Sequence, residues 1–399
     1  MTFGLYCHIP FCLRVCDYCN FFVQGLPPHD LDQQRRYMRA LKGEWERRHE
    51  AWGVLGPITT FYFGGGTPSL IHPRIMEEFV EVLEDHTALT DAEEVTMEID
   101  PHVVNEDKLR LYKDWGISRL SVGVQSFQED TLHSLGRPQT PAQALRTLER
   151  IFKIGFREVS VDLIFGAPGQ GVENFMGDLK QTLSFPVDHV SLYNLTYEEG
   201  TPLYQRMKNG DVVPVEEEVE YVMYHAARSF LEKQGLHQYE ISNFSRPGCE
   251  GRHNKLYWDY EDCLGLGAGA VSFRRVSGNG KFSGRRRHNV KNLEKYFRGD
   301  PGEIEILEGE TAMGEFMMLG LRKIEGVFFK DFKFLFGISL EEAYGPILNK
   351  MTDQNLLEVT QENVRLSEQA LFISNEVLKE FVGVAAPTSH LGNSPFIEL

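Results

Sequence analysis

Six short runs rich in β-branched and aromatic residues punctuate the first half of this chain, each followed by polar or glycine-rich sequence. They occupy residues 5–9, 60–63, 95–99, 120–124, 159–165 and 189–195. Between them lie longer segments of helical period, at 31–52, 74–87, 105–115 and 141–154. Strand and helix in strict alternation predict an α/β fold with a parallel sheet. Each helix is the crossover that lets the next strand run the same way. Six such units are expected to curl into a partial (βα)6-type TIM barrel, whose chemistry would sit at the carboxyl ends of the strands.

The residues at those ends are Cys12–Cys19, Gly64–Ser69, Glu98–Asp100, Gln125–Ser126, Gly166–Gln170 and Thr196–Gly200, with Asp162 inside the fifth run. Polar groups from six successive loops thus converge on one rim. Loops are polar in any case, but six in series that share the property point to a site.

The chain has 399 residues, 42% hydrophobic and 25% charged, with ample apolar material for a large core. Its net charge of −17 disfavours a nucleic-acid surface. No stretch approaches the roughly 20 apolar residues that span a bilayer. Residues 1–10 lack the basic and apolar regions of a leader, so the cytoplasm is the expected compartment. Six cysteines are too few for a disulfide scaffold there. Cys7, Cys249 and Cys263 are scattered and read as ordinary buried residues.

The other three stand together, as Cys12-Leu13-Arg14-Val15-Cys16-Asp17-Tyr18-Cys19. Thiolates are the ligands of iron–sulfur clusters, and a cubane takes four. Three would leave one iron open to a small molecule. A zinc site would want a fourth Cys or His at matched spacing, and His8 is too near in sequence to be an obvious one. A dithiol of Cys16 and Cys19 alone would leave Cys12 unexplained.

This spacing resembles the signature loop of the radical SAM superfamily. The resemblance implies a 4Fe–4S cluster whose open iron binds the amino and carboxylate groups of S-adenosylmethionine (SAM). An electron from the reduced cluster then breaks the sulfonium C–S bond to give a 5′-deoxyadenosyl radical. It further implies that Tyr18 packs on the adenine, and that Gly65, Gly66 and Thr67 of Gly64-Gly65-Gly66-Thr67-Pro68-Ser69 form the amino-group site. Glu98, Gln125, Arg137 and Asp162 are then expected to supply acceptors for ribose and ammonium and a cation for carboxylate. Tyr6 and Val271 are expected to touch SAM through backbone or apolar contact.

The likeness is similar in kind to the HemN/HemW subgroup, from about residue 3 to 382. It is carried by Tyr6-Cys7-His8-Ile9-Pro10-Phe11, by Ser121-Val122-Gly123-Val124-Gln125-Ser126-Phe127, and by Asp162–Gln170 and Leu192-Tyr193-Asn194-Leu195-Thr196. HemN-type decarboxylases carry an extension before the cluster loop and a further cysteine after it. Here the loop begins at Cys12, and Asn20 and Phe21 follow Cys19. HemW-type heme chaperones are recognised by a His-Asn-x-x-Tyr-Trp motif, present as His253-Asn254-Lys255-Leu256-Tyr257-Trp258. A neutral imidazole suits heme iron, and Tyr257 and Trp258 could cover a flat macrocycle. A lone histidine is more often structural. Val271 stands where many HemW-type sequences have histidine. Arg274, Arg275 and Arg285-Arg286-Arg287-His288 form the densest positive cluster, suited to heme propionates or to nearby acids.

The expectation is therefore a radical SAM core barrel over residues 1–235, followed by a connecting region over 236–305 that packs on it. A small, mainly helical, winged-helix-like C-terminal domain over 306–382 and a tail over 383–399 complete the chain. The helical patterns 310–321, 328–336 and 340–351 precede β-like runs at 356–360 and 364–367. The expected cofactors are 4Fe–4S (Cys12, Cys16, Cys19), SAM and heme (His253). The expected role is a heme chaperone serving an acceptor hemoprotein, with a flavodoxin or ferredoxin as electron donor and peripheral contact with membrane hemoproteins. The alternative is a radical SAM enzyme on a tetrapyrrole, performing coproporphyrinogen III decarboxylation or radical methyl transfer with heme ring opening. No residue is singled out as catalytic.

Overall fold

A computed structural model describes residues 3–53, 56–278 and 281–382. The expected tail at 383–399 lies outside the described residues. The six units fold as β1 (Phe3–Ile9), α1 (Leu31–Gly53), β2 (Ile58–Gly65), α2 (Pro73–Glu84), β3 (Glu94–Ile99), α3 (Glu106–Asp114), β4 (Arg119–Gln125), α4 (Pro141–Ile154), β5 (Glu158–Phe165), α5 (Val172–Thr182), β6 (His189–Asn194) and α6 (Glu217–Lys233). Strands β1 to β6 pair in sequence order, all parallel.

The strands follow period 2. One set of side chains, such as Leu5, Cys7 and Ile9 on β1 and Leu120, Val122 and Val124 on β4, is buried in the core that the helices cover. The alternate set is polar, and its members bond to one another across strands. Tyr62 donates to Glu98, Ser121 to Asp162, Arg119 pairs with Glu158, and Ser160 meets His189. A polar lining of this kind on the concave face of a parallel sheet makes the inside of the barrel a site as well as a core. Local signals start the helices: at α4, Thr140 and Gln143 form a capping box, Pro141 takes the first turn and Gly155 closes the helix in the left-handed region.

The passage after α6 holds more sheet than its glycine-rich sequence suggests. It runs β7 (Asn243–Ser245), α7 (Arg252–Trp258), β8 (Cys263–Leu266), β9 (Val271–Gly278), β10 (Lys281–His288) and β11 (Glu303–Glu308). Strand β7 adds antiparallel to β6, and β8 adds parallel to the free side of β1, followed by the antiparallel run β9–β10–β11. With the two-residue strand His237–Gln238 paired antiparallel to β7 at one edge, a twelve-stranded sheet results, with the six parallel strands at its centre and no pairing that joins its two described edges. The arginine cluster alternates across β9 and β10. Arg275 pairs with Glu261, and Arg286 with Glu305 and Glu315, so part of the expected positive patch is spent on internal ion pairs.

The C-terminal part shows the expected order. Helices α8 (Gly309–Gly320), α9 (Phe329–Phe336) and α10 (Leu340–Asp353) precede a hairpin of Leu357–Val359 and Asn363–Leu366, joined by Val327–Phe328 as third strand. Among the described residues no helix is long and apolar enough to cross a membrane.

Candidate cofactor-binding site

A cavity of about 570 Å³ opens at the carboxyl ends of the parallel strands. The loop that carries the cysteines arches over it. The Asp17 N–H donates to the Leu135 carbonyl (3.1 Å), and the Asp17 carbonyl accepts from Leu203 N–H (2.8 Å), which ties the arch to the chain beyond β4 and β6. Cys12, Cys16, Cys19, Tyr18, Gly65, Gly66, Thr67, Glu98, Gln125, Arg137 and Asp162 all line this one cavity. Five strands and their loops therefore deliver eleven of the singled-out residues to a common space.

Two glycines let the loops close. A Cβ on Gly66 would lie 2.8 Å from the Phe11 carbonyl and 3.0 Å from Cys12 Sγ, and Gly65 has φ +111° with His8 directly behind it. The N–H groups here are already committed: Gly65 to Glu98 (3.0 Å), Gly66 to the Ile9 carbonyl (2.8 Å) and Thr67 to the Phe11 carbonyl (2.8 Å). A ligand would therefore meet the loop's carbonyl oxygens and its close backbone surface, not a nest of free donors.

Burial pushes the Cys12 thiol up to about 11 and the Cys19 thiol up to about 12. Bound iron would offset that cost, since a coordinated thiol is deprotonated outright. Cys16 Sγ accepts from Arg137 Nη1 at 3.3 Å, and Cys12 Sγ from Thr67 Oγ1 at 3.6 Å, so donors already face two of the sulfurs. Among the described residues no three His, Cys, Asp or Glu side chains close on a single point. A cubane does not need them to, because each thiolate serves a different iron.

The nucleoside side of the cavity also fits its expected group. Gln125 ends β4 at a bulge, with φ 65°, and its Oε1 is buried without a hydrogen-bond partner. A strained residue with an orphaned acceptor in a cavity wall is what a ligand hydroxyl would satisfy. Burial raises Glu98 to about 7, against the Tyr62 hydroxyl (2.9 Å) and Gly65 N–H, which favour its charge. Asp162 is likewise pushed up by burial, opposed by Ser121 Oγ at 2.8 Å. Arg137 reaches Asp100 (3.1 Å), Gln139 and the Gly123 carbonyl as well as Cys16, so it braces the cavity wall and the cysteine loop together.

Three expected residues fall elsewhere. Tyr6, Val271 and His253 line a second, smaller cavity of about 120 Å³ that shares Tyr62, Gly65, Glu98 and Phe21 with the first. His253 is 1% exposed, with Nδ1 2.8 Å from Thr60 Oγ1 and Nε2 2.8 Å from the Tyr257 hydroxyl. Burial lowers it to about 3. An axial ligand needs a free nitrogen, and both are taken; in this arrangement His253 is a structural histidine that seats α7 on β1 and β2. Tyr257 and Trp258, expected to cover a macrocycle, are also buried. Residues not singled out from the sequence as site residues complete the main cavity: Tyr62, Ser121 and Tyr193 from the strands, with Ser242, Arg322 and Asn375.

Comparison with known proteins decides the family. Residues 6–181 match the Radical SAM superfamily, and residues 307–373 match the HemN C-terminal domain. The chain is 33% identical to a Bacillus subtilis protein named heme chaperone HemW, over 95% of this chain and 98% of that one. The chain belongs to the radical SAM superfamily, in its HemN/HemW group. It is 31% identical to the Lactococcus lactis heme chaperone HemW (94% and 96% covered) and 32% identical to a mitochondrial radical S-adenosyl methionine domain-containing protein 1 of Danio rerio (94% and 86%). The solved structure of coproporphyrinogen III oxidase (HemN) from Escherichia coli superposes with TM-score 0.79 over 96% of this chain and 90% of that one, at 20% identity. That likeness shows a shared fold. The cofactors that mark the superfamily are SAM and a 4Fe–4S cluster.

Proposed function

We propose that this chain is a heme chaperone that holds heme beside a SAM-ligated 4Fe–4S cluster and passes the heme to an acceptor hemoprotein. One observation carries the reading: relatives named heme chaperone HemW match it along nearly the whole of both chains. The cavity supports the cofactor half. Cys12, Cys16 and Cys19 would hold the cluster, which when bound supplies an open iron for the amino and carboxylate groups of SAM. Gln125 would accept from a ribose hydroxyl, Glu98 and Asp162 would accept from hydroxyl or ammonium groups, and Tyr18 would present its ring to the adenine. Arg137 holds Cys16 and the strand ends in register for that ligand. The Thr60 and Tyr257 hydroxyls engage His253, so the heme iron would draw its ligand from elsewhere.

The test incubates reduced, reconstituted protein and SAM with hemin or with coproporphyrinogen III. Expected is heme passed to an apo-hemoprotein with the porphyrinogen propionates intact. Decarboxylation of coproporphyrinogen III, or opening of the heme ring, would replace the chaperone with a radical SAM enzyme.

A further inference from the structure

Each of the three cysteine sulfurs is met by a donor from a different part of the rim. Thr67 Oγ1, after β2, lies 3.6 Å from Cys12 Sγ, and Arg137 Nη1, between β4 and α4, lies 3.3 Å from Cys16 Sγ. The Phe21 backbone N–H serves Cys19. Only the donor on Cys16 carries a charge. Its guanidinium is held from three further sides. Nη2 donates to Asp100 Oδ2 (3.1 Å) and to the Gly123 carbonyl (3.1 Å), and Nε donates to Gln139 Oε1 (3.1 Å). Asp100, just past β3, is fixed in turn by the His102 N–H on Oδ1 (2.8 Å). A cation in contact with one sulfur, and a carboxylate one step behind it, thus stand in a rigid series.

Reduction adds one electron, and one negative charge, to a cluster and its thiolates. Hydrogen bonds to the sulfurs and the charges around them set how readily that electron is accepted. A donor or a cation favours the reduced form, and a carboxylate opposes it. Both act most strongly where water is excluded. The Cys16 side chain is buried, and those of Arg137 and Asp100 are only 9% and 15% exposed. We infer that Arg137 is a positioning residue that sets the reduction potential of the cluster through Cys16, with Asp100 as the opposing charge that limits it. Thr67 does the same for Cys12 without a charge, and so more weakly. The inference rests on the cluster reading and is independent of heme.

The test reconstitutes wild type, Arg137→Gln, Arg137→Lys and Asp100→Asn without oxygen and titrates each with dithionite and redox mediators. SAM and heme are left out, and the reduced cluster is read by electron paramagnetic resonance, scaled to bound iron. Arg137→Gln is expected to shift the one-electron equilibrium about tenfold toward the oxidised cluster, which is about 59 mV downward. Arg137→Lys should recover part of that shift, because it keeps the charge and loses the fork. Asp100→Asn should move the potential upward. A merely structural Arg137 would change how much cluster is held but not its potential. Equal potentials in Arg137→Gln and wild type, or no upward shift in Asp100→Asn, would therefore overturn the inference. Where Arg137→Gln takes up no cluster, the sign of the Asp100→Asn shift decides alone. A wild-type chain that takes up no cluster would overturn the cluster reading, and this inference with it.

Discussion

Glu98 is the residue in which fold and ligand compete most directly. Its carboxyl sits in the cavity wall, held up to about 7 by burial while an unfolded chain would release the proton near 4.5. Between those values the folded state keeps a proton that the unfolded state has lost. Stability therefore falls as pH rises through that window, by up to about 3 kcal/mol. Glu98→Gln removes the penalty and keeps an oxygen for Tyr62. Thermal melts should show the variant gaining on wild type at about pH 8 and matching it at about pH 4. A variant that gained nothing at the higher pH would mean the carboxylate is already fully compensated. The same exposure of cost marks Gln125, whose positive φ and orphaned oxygen are stable only because the surrounding strands fix them.

At the scale of elements, α7 closes the end of the barrel opposite the cysteine loop. His253 and Leu256 pack directly on Gly4, where a Cβ would lie 2.5 Å from Leu256 Cδ1, and the His253 N–H donates to Glu94. His253→Ala should leave the Thr60 and Tyr257 hydroxyls unmatched around a cavity and lower stability by about 2–4 kcal/mol, read from the urea midpoint. A variant of unchanged midpoint but altered heme Soret band would restore the imidazole as a ligand. The His-Asn-x-x-Tyr-Trp motif was legible in sequence as a mark of kinship, but its role was not: Tyr257 lies within the motif, whereas the second partner, Thr60, lies nearly 200 positions away. The six strands were legible because period 2 and the crossover helices are local. Strands β9 and β10 were not, since the arginine run hides an alternation in which Arg286 turns inward and Arg285 outward. Writing out every second residue of the six runs would have found Tyr62, Ser121 and Tyr193 on the cavity side. Arg322 had no such signal, since only the fold brings it to the cavity.

Across the whole molecule, the polar barrel interior sets the response to acid. His8, His189 and His253 are each held neutral by burial, His8 lowered to about 4 and His253 to about 3, with His189 well below its ordinary value. Below pH 6.5 the unfolded chain takes up three protons that the folded chain refuses. Alone, that would remove about 4 kcal/mol of stability per pH unit. Glu98 and Glu240, both raised to about 7, act in the opposite sense: between about 7 and 4.5 the folded chain binds their protons first and gains stability as pH falls. The carboxyls offset two of the three histidine protons in that window, which leaves a net loss of about 1.4 kcal/mol per pH unit as pH falls. Below about 4.5 Glu98 and Glu240 are protonated in both states and no longer offset the histidines. Urea unfolding across this range should therefore show a gentler slope down to about pH 4.5 and a steeper loss just beneath it. Replacing His189 with glutamine should take about 1.4 kcal/mol per pH unit out of the acid limb. An acid limb of the same slope in that variant would mean that the loss arises outside the barrel interior, in the surface carboxylates that give the chain its charge of −17.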